Sequence, residues 1–222
     1  MSRGGGKFPR HAHSLRDHEG YTIDQKRVIS KLLHKNSLER ANAVRASIAD
    51  GTSLEAESMM TEALPEKGAG APEKSTRRSF QSLVGSLLWI AWCSRPDIAY
   101  AVHRATRQTH APTTQDMRIA KRVLRYLAGT TAAKLHMGGE SGNTTVEVTS
   151  YTDADFAADK NTRNSASGAL LTAGGMMVGW QVKQQSSVAL STAEVEFVAA
   201  AVGAKESLGI KNLLSEIGVQ VM

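Results

Sequence analysis

Tyr151-Thr152-Asp153-Ala154-Asp155 and, further on, Ser191-Thr192-Ala193-Glu194-Val195-Glu196-Phe197 decide how this chain folds and what chemistry it can carry. The first stretch closes a β-branched run, Thr145 to Tyr151, that reads as a strand. The second opens on a hydroxyl residue, Ser191 or Thr192, placed to cap a helix. Acidic side chains converging from a strand end and a helix start can hold hard divalent cations, and ions so held can cleave phosphodiesters. Residues two apart on a strand share a face, so Asp153 and Asp155 can both approach one ion. A polar strand end running into an Asx turn would show the same residues. Glu194 and Glu196 cannot serve together, because helical neighbours two apart point in roughly opposite directions. Glu194 shares its side with Lys205, Asn212 and Glu216, a polar stripe. Glu196 shares its side with Gly203, Ile210 and Leu214, which should pack on the sheet. A carboxylate on a packing face needs a partner, and a cation supplies one, so Glu196 joins Asp153 as the candidate metal ligand. Asp159 falls in a loop and is expected in solvent. No aspartate follows Glu196.

Outward from these stretches the chain divides by periodicity. Gly168 to Thr172 and Met176 to Val182 read as two further short strands joined at Gly174-Gly175, and the final helix runs to about Ile217 with Gly218 as its stop. A β-β-β-α unit therefore occupies residues 145–222. The region 80–140 reads as three helices. Phe80 to Cys93 is almost wholly apolar, and Pro96 ends it by removing an amide and restricting the residues before it. Asp97 is placed to cap a second helix through about His110. Pro112 closes that one, and Thr113 or Thr114 caps a third that Gly129 terminates. Residues 51–79 read as a linker, broken by Leu64-Pro65 and Gly68 to Pro72. Residues 21–50 read as helix from the spacing of Ile23, Val28, Ile29, Leu32 and Leu33, and 1–20 as a flexible lead-in with His11, His13 and His18. Helices followed by strands and a helix give an α+β or α/β chain.

Arg118, Lys121, Arg122 and Arg125, at i, i+3, i+4 and i+7, share one face of the third helix, while Ile119, Val123, Leu124 and Leu127 lie around the other side. Four cations with no acid between them suit a nucleic-acid backbone; a solvated surface helix would look the same. The wider charge distribution points the same way. Residues 1–140 carry 22 Lys and Arg against 13 Asp and Glu, a net of +9, whereas 141–222 carry 5 against 8, a net of −3. A basic region joined to an acidic one suggests a polyanion platform beside a cation site. No apolar run is long enough for a membrane span, and the N-terminus lacks the apolar stretch of a secretory signal. The single cysteine, Cys93, sits in an apolar run and reads as a buried core residue in a reducing, intracellular setting.

Phe80-Gln81-Ser82-Leu83-Val84-Gly85-Ser86-Leu87-Leu88-Trp89, Ser94-Arg95-Pro96-Asp97-Ile98-Ala99-Tyr100-Ala101-Val102 and Ala120-Lys121-Arg122-Val123-Leu124-Arg125-Tyr126-Leu127-Ala128-Gly129-Thr130 resemble the segment behind the reverse transcriptase of copia-type retrotransposon Pol polyproteins. The strand and helix stretches quoted first, with Ser165 to Gly168 and Gly179-Trp180, resemble the start of that family's ribonuclease H domain. Gly20 to Ile48 is similar to the end of the polymerase region. The resemblance implies a helical connection module followed by a truncated ribonuclease H-like unit. It also implies magnesium-dependent cutting of RNA in RNA–DNA hybrids, with four carboxylates holding two ions. Asp153 takes the first-strand position and Glu196 the first-helix position, and the two later aspartates have no counterpart here. A two-metal displacement needs ligands for both ions, so the expectation for this chain alone is nucleic-acid association without cleavage. The implied partners are an RNA–DNA hybrid or other nucleic acid and the remaining Pol polypeptide. The alternative is a non-catalytic nucleic-acid module using the Arg118–Arg125 helix.

Overall fold

A computed structural model describes residues 13–17 as backbone, and 20–48, 62–66, 75–138, 145–159 and 162–222 in full. The chain divides into two compact units, one built mainly from Ile23–Leu135 and the other mainly from His136–Met222.

The first unit is helical. Helix α1 is Lys26–Lys35, α2 Arg77–Cys93, α3 Ala99–Thr106 and α4 Thr114–Gly129, with a 3-10 turn at Pro96–Ile98 before α3. Each of the long helices begins where a hydroxyl can satisfy an orphan amide. Thr76 accepts from the Ser79 amide while the Ser79 hydroxyl accepts from the Thr76 amide, and Thr113 and Asp116 make the same reciprocal pair at α4. Thr113, rather than Thr114, is therefore the cap. The buried faces meet in one core: Ile29, Leu32 and Leu33 of α1 pack with Phe80, Leu83, Leu87 and Ile90 of α2 and with Ile98, Val102, Val123, Leu124 and Leu127.

Four features of this unit depart from the expectations above. The helix expected over 21–50 forms only at Lys26–Lys35. Gly20–Asp24 is instead strand β2, and 38–48 is irregular because Ser37 turns left-handed at φ 56°. Part of the expected lead-in, His13–Asp17, is strand β1. Strands β1, β2 and β3 (Leu135–Met137) form a sheet in the order β1-β2-β3. Within the stretch read as a linker, Glu62–Glu66 is packed: the Leu64 amide donates to Pro112 O at 2.8 Å, the Thr114 amide to Glu62 O at 2.9 Å, and Leu64 is buried. The remaining linker residues, 51–61 and 67–74, lie outside the described residues, as do His11 and His18. Finally, Asp97 caps nothing. The second helix has Ile98 as its N-cap without a side-chain bond, and it ends at Thr106.

The second unit is a sheet with one helix. Strands β4 (Thr145–Val146) and β5 (Val148–Asp155) are separated by Glu147 alone, and β6 (Ala166–Ala173) and β7 (Met176–Gln184) follow. The three long strands run antiparallel in the order β5-β6-β7, with a register shift between Leu171 and Thr172. Gly174 and Gly175 make the β6–β7 turn, and both adopt positive φ, which a side chain would resist. Helix α5 (Thr192–Glu216) returns across the sheet to strand β8 (Gln220–Val221), which pairs parallel with β4. That last strand was not expected from the sequence. Two residues carry too little pattern to read, but the Met222 amide bonds to Val146 O at 3.1 Å and confirms the alignment.

Candidate functional site

Strand β5 fixes where Asp153 points. Its neighbours Ser150 and Thr152 lie under α5, so close that a Cβ on Gly203 would collide with Thr152 Cγ2 and approach Ser150 Oγ to 3.2 Å. Side chains alternate along a strand, so Tyr151, Asp153 and Asp155 open on the face away from α5. Asp153 is exposed, and its carboxylate has no partner among the described residues.

The start of α5 is held at the same end of the sheet. Gln185, the residue after β7, is buried and donates through Nε2 to Ser167 Oγ at 2.9 Å and to Val195 O at 3.0 Å. The register runs from Gln184 through Ala166 to Asp155, so this side chain fastens the first turn of the helix beside the carboxyl end of β5. Gln185 was not singled out from sequence; a lone glutamine after a strand carries no signal until the fold buries it. Ser191 caps the helix by accepting from the Glu194 amide at 3.2 Å. Glu194 in turn accepts from the Leu190 amide at 2.8 Å, which gives the residue assigned to the solvent side a capping role. Val195, Ala199 and Gly203 are the buried face of α5. Glu196 lies on the Gly203 side in helical phase, yet its side chain is exposed rather than covered. It stands beside, not on, the buried line of Val195, Ala199 and Gly203, so burial does not force a partner on it.

Asp153 and Glu196 thus reach solvent at one end of one sheet. Carboxylate oxygens are the right donor type for a hard divalent ion. Among the described residues, however, no three His, Cys, Asp or Glu side chains gather as a cation cage. Asp153 leaves the sheet on the face away from α5 and Glu196 projects from α5 itself, so the fold supplies two acids of the right donor type from the two sides of one sheet end without completing a ligand set.

In the helical unit the four cations of α4 do not stand alike. Arg125 Nε donates to Asn42 O at 2.9 Å and Arg122 donates to Ile48 O at 3.4 Å, so both help fasten the irregular 38–48 segment. Arg118 and Lys121 are exposed. A second cationic centre is internal. Arg95, buried, forks onto Asp97 with contacts of 2.7 to 3.2 Å and reaches Thr130 O at 3.0 Å and Thr130 Oγ1 at 2.6 Å. The Tyr126 hydroxyl donates to Asp97 Oδ2 at 2.9 Å, and the Arg95 guanidinium lies 5.7 Å from the Tyr126 ring centre. Burial alone would push Asp97 up, but the hydrogen bonds and charge of Arg95 with the Tyr126 hydroxyl outweigh it and hold the carboxyl below its usual value. The Ser94-Arg95-Pro96-Asp97 and Tyr126-to-Thr130 stretches are therefore two halves of one structural network. Cys93, expected in the core, is only half-buried, and that burial pushes its thiol up.

No helix among the described residues is long and apolar enough to cross a membrane. No family model matches the sequence, and no solved structure matches it. The chain is 36% identical over 197 residues to the retrovirus-related Pol polyprotein from transposon TNT 1-94 of Nicotiana tabacum, covering 89% of this chain and 14% of that protein. It is 32% identical over 202 residues to the Pol polyprotein from transposon RE1 of Arabidopsis thaliana, covering 91% and 13%. The match to the Pol polyprotein from transposon RE2 of the same plant is 32% over 203 residues, again covering 91% and 13%. The chain thus spans 13–14% of the length of these relatives. Nearly all of it aligns with each of them, and on that ground it belongs to the copia-type retrotransposon Pol polyproteins.

Proposed function

We propose that residues 145–222 open a ribonuclease H-like domain, with Asp153 and Glu196 as its first-strand and first-helix ligands for magnesium. The helical unit before it is the nucleic-acid-facing region behind the reverse transcriptase. The observation that carries this reading is placement: an acid from the first long strand and an acid from the first helix emerge at the same end of a β-β-β-α sheet. When bound, a magnesium ion would supply charge stabilisation at a phosphodiester oxygen. Asp153 and Glu196 would hold it, and Gln185 and Ser191 would fix the helix turn from which Glu196 projects.

Two carboxylates fill few of the coordination positions of two magnesium ions, so hybrid association without cleavage is the activity we propose for residues 1–222 as they stand. The test is a labelled RNA strand annealed to DNA and incubated with the chain in magnesium. A retained, uncut hybrid is expected. Magnesium-dependent cutting that disappears in Asp153→Asn would show instead a working nuclease. The partners proposed are such a hybrid and the rest of the Pol polypeptide.

A further inference from the structure

Helix α1 has an outer face with no obvious stabilising purpose. Lys26, Arg27, Lys31 and Lys35 are exposed, and no acid occurs from Lys26 to Lys35. Lys26, Arg27 and Lys31 make no side-chain ion pair or hydrogen bond among the described residues. Two of these cations occupy the first turn, where the helix dipole disfavours positive charge. Helix α2 lies antiparallel beside it: Ser94 Oγ donates to Gln25 Oε1 at 2.7 Å at one end, and Lys35 Nζ donates to Ser82 Oγ at 3.2 Å at the other. The outer stripe of α2, at i, i+4, i+7, i+11 and i+14, is Arg78, Ser82, Gly85, Trp89 and Trp92. Trp89 is 41% and Trp92 74% exposed, and a Cβ on Gly85 would meet nothing within 4 Å. Beneath them Leu87 and Ile90 are fully buried, so the indoles are not displaced core residues. A row of cations that make no ion pair among the described residues therefore runs alongside two exposed indoles.

We propose that this α1–α2 face binds single-stranded nucleic acid, with phosphates along Arg27, Lys31 and Lys35 and bases stacked on Trp89 and Trp92. The inference rests on the nucleic-acid reading above and moves the contact surface away from α4, where Arg122 and Arg125 already hold backbone carbonyls. Lysines and an arginine one helical turn apart track a phosphate chain, and exposed aromatic rings accept any base face without sequence preference. In a duplex those base faces are stacked inside, so an indole has little to meet.

The test is fluorescence anisotropy of a labelled oligothymidylate against the full chain across a salt series, with an unlabelled duplex as competitor. Trp92→Ala is expected to weaken binding about tenfold with the salt slope unchanged. Lys31→Gln with Lys35→Gln should flatten the slope of log affinity on log salt by about 1.4. Arg118→Gln with Lys121→Gln should change neither much, and the duplex should compete poorly. Melting temperatures close to wild type in all variants exclude misfolding as the cause, since every substituted side chain is exposed. Wild-type affinity in both α1–α2 variants would overturn the surface. If the α4 variant then lost binding, the nucleic-acid reading would stand at another place. A wild-type chain that bound no strand at low salt would overturn the surface and that reading together.

Discussion

Gln185 shows how one side chain can settle the geometry of a site it does not touch. Its amide nitrogen serves two acceptors on different elements, Ser167 Oγ and Val195 O, inside a buried pocket of the second unit. Replacing it by alanine removes both bonds and leaves the buried Ser167 Oγ without this donor, and a buried polar group left unsatisfied costs about 1–3 kcal/mol. Gln185→Ala should therefore lose stability of that order by urea denaturation, and Val195 should lose amide-exchange protection along with its neighbours. A different logic governs Asp97. Its carboxyl titrates below its ordinary value when folded, so its contribution is present above the unfolded carboxylate pKa, about 3.9, and is lost as pH falls through the lower folded value. Wild type should consequently fall in stability more steeply than Asp97→Asn below about pH 4. Parallel curves for the two proteins would refute the network's role.

At the scale of elements, helix α5 contains two glycines with opposite duties. Gly203 is where the helix touches β5, and any Cβ there must displace Thr152 or the helix itself. Gly209 faces open space in the same helix. Gly203→Ala should destabilise by roughly 1–3 kcal/mol through overpacking, whereas Gly209→Ala should stabilise by roughly 0.5–1 kcal/mol. Thermal unfolding of the two variants, moving in opposite directions, would confirm the helix seat. Elements with strong local patterning were legible in the sequence: Phe80 to Cys93, the Thr113-capped basic helix, the hairpin at Gly174-Gly175 and the Ser191 helix start all occur near their expected bounds. The strands at β1, β2, β3 and β8 were not, because two to five residues carry almost no local period, and β3 and β8 have their partners far along the chain. The role of Asp97 is hidden from local sequence for the same kind of reason. An aspartate just before a helix usually caps it, but here Arg95, itself held by Thr130 at the end of α4, and Tyr126 of α4 offer it a better set of partners. In the candidate site, the types of Asp153 and Glu196 and the phase of Glu194 could be read locally. Their placement at one sheet end needed the Gln185 tether, which only the fold creates.

At the scale of the molecule, the two units differ in what they bury. The helical unit closes over Phe80, Leu83, Leu87, Ile90, Ile98, Val102, Leu124 and Leu127, all at or below 3% exposed. The sheet unit buries mostly small groups, Ala166, Ala169, Ala173, Ala189 and Ala199 around Leu171 and Val195. Burial of apolar area contributes about 25 cal/mol per Å2, so the helical unit should be the more stable of the two. Amide exchange in rising urea should show protection lost first across β5, β6, β7 and α5, and later in α2 and α4. The functional reading rests on whether Asp153 and Glu196 serve one ion. Isotope-labelled chain titrated with manganese, a paramagnetic stand-in for magnesium, reports this directly. Amides flanking Asp153 and those flanking Glu196 should broaden together at the lowest manganese concentrations, and both effects should vanish in Asp153→Asn. Broadening confined to one of the two stretches, or unchanged by that substitution, would contradict the shared site.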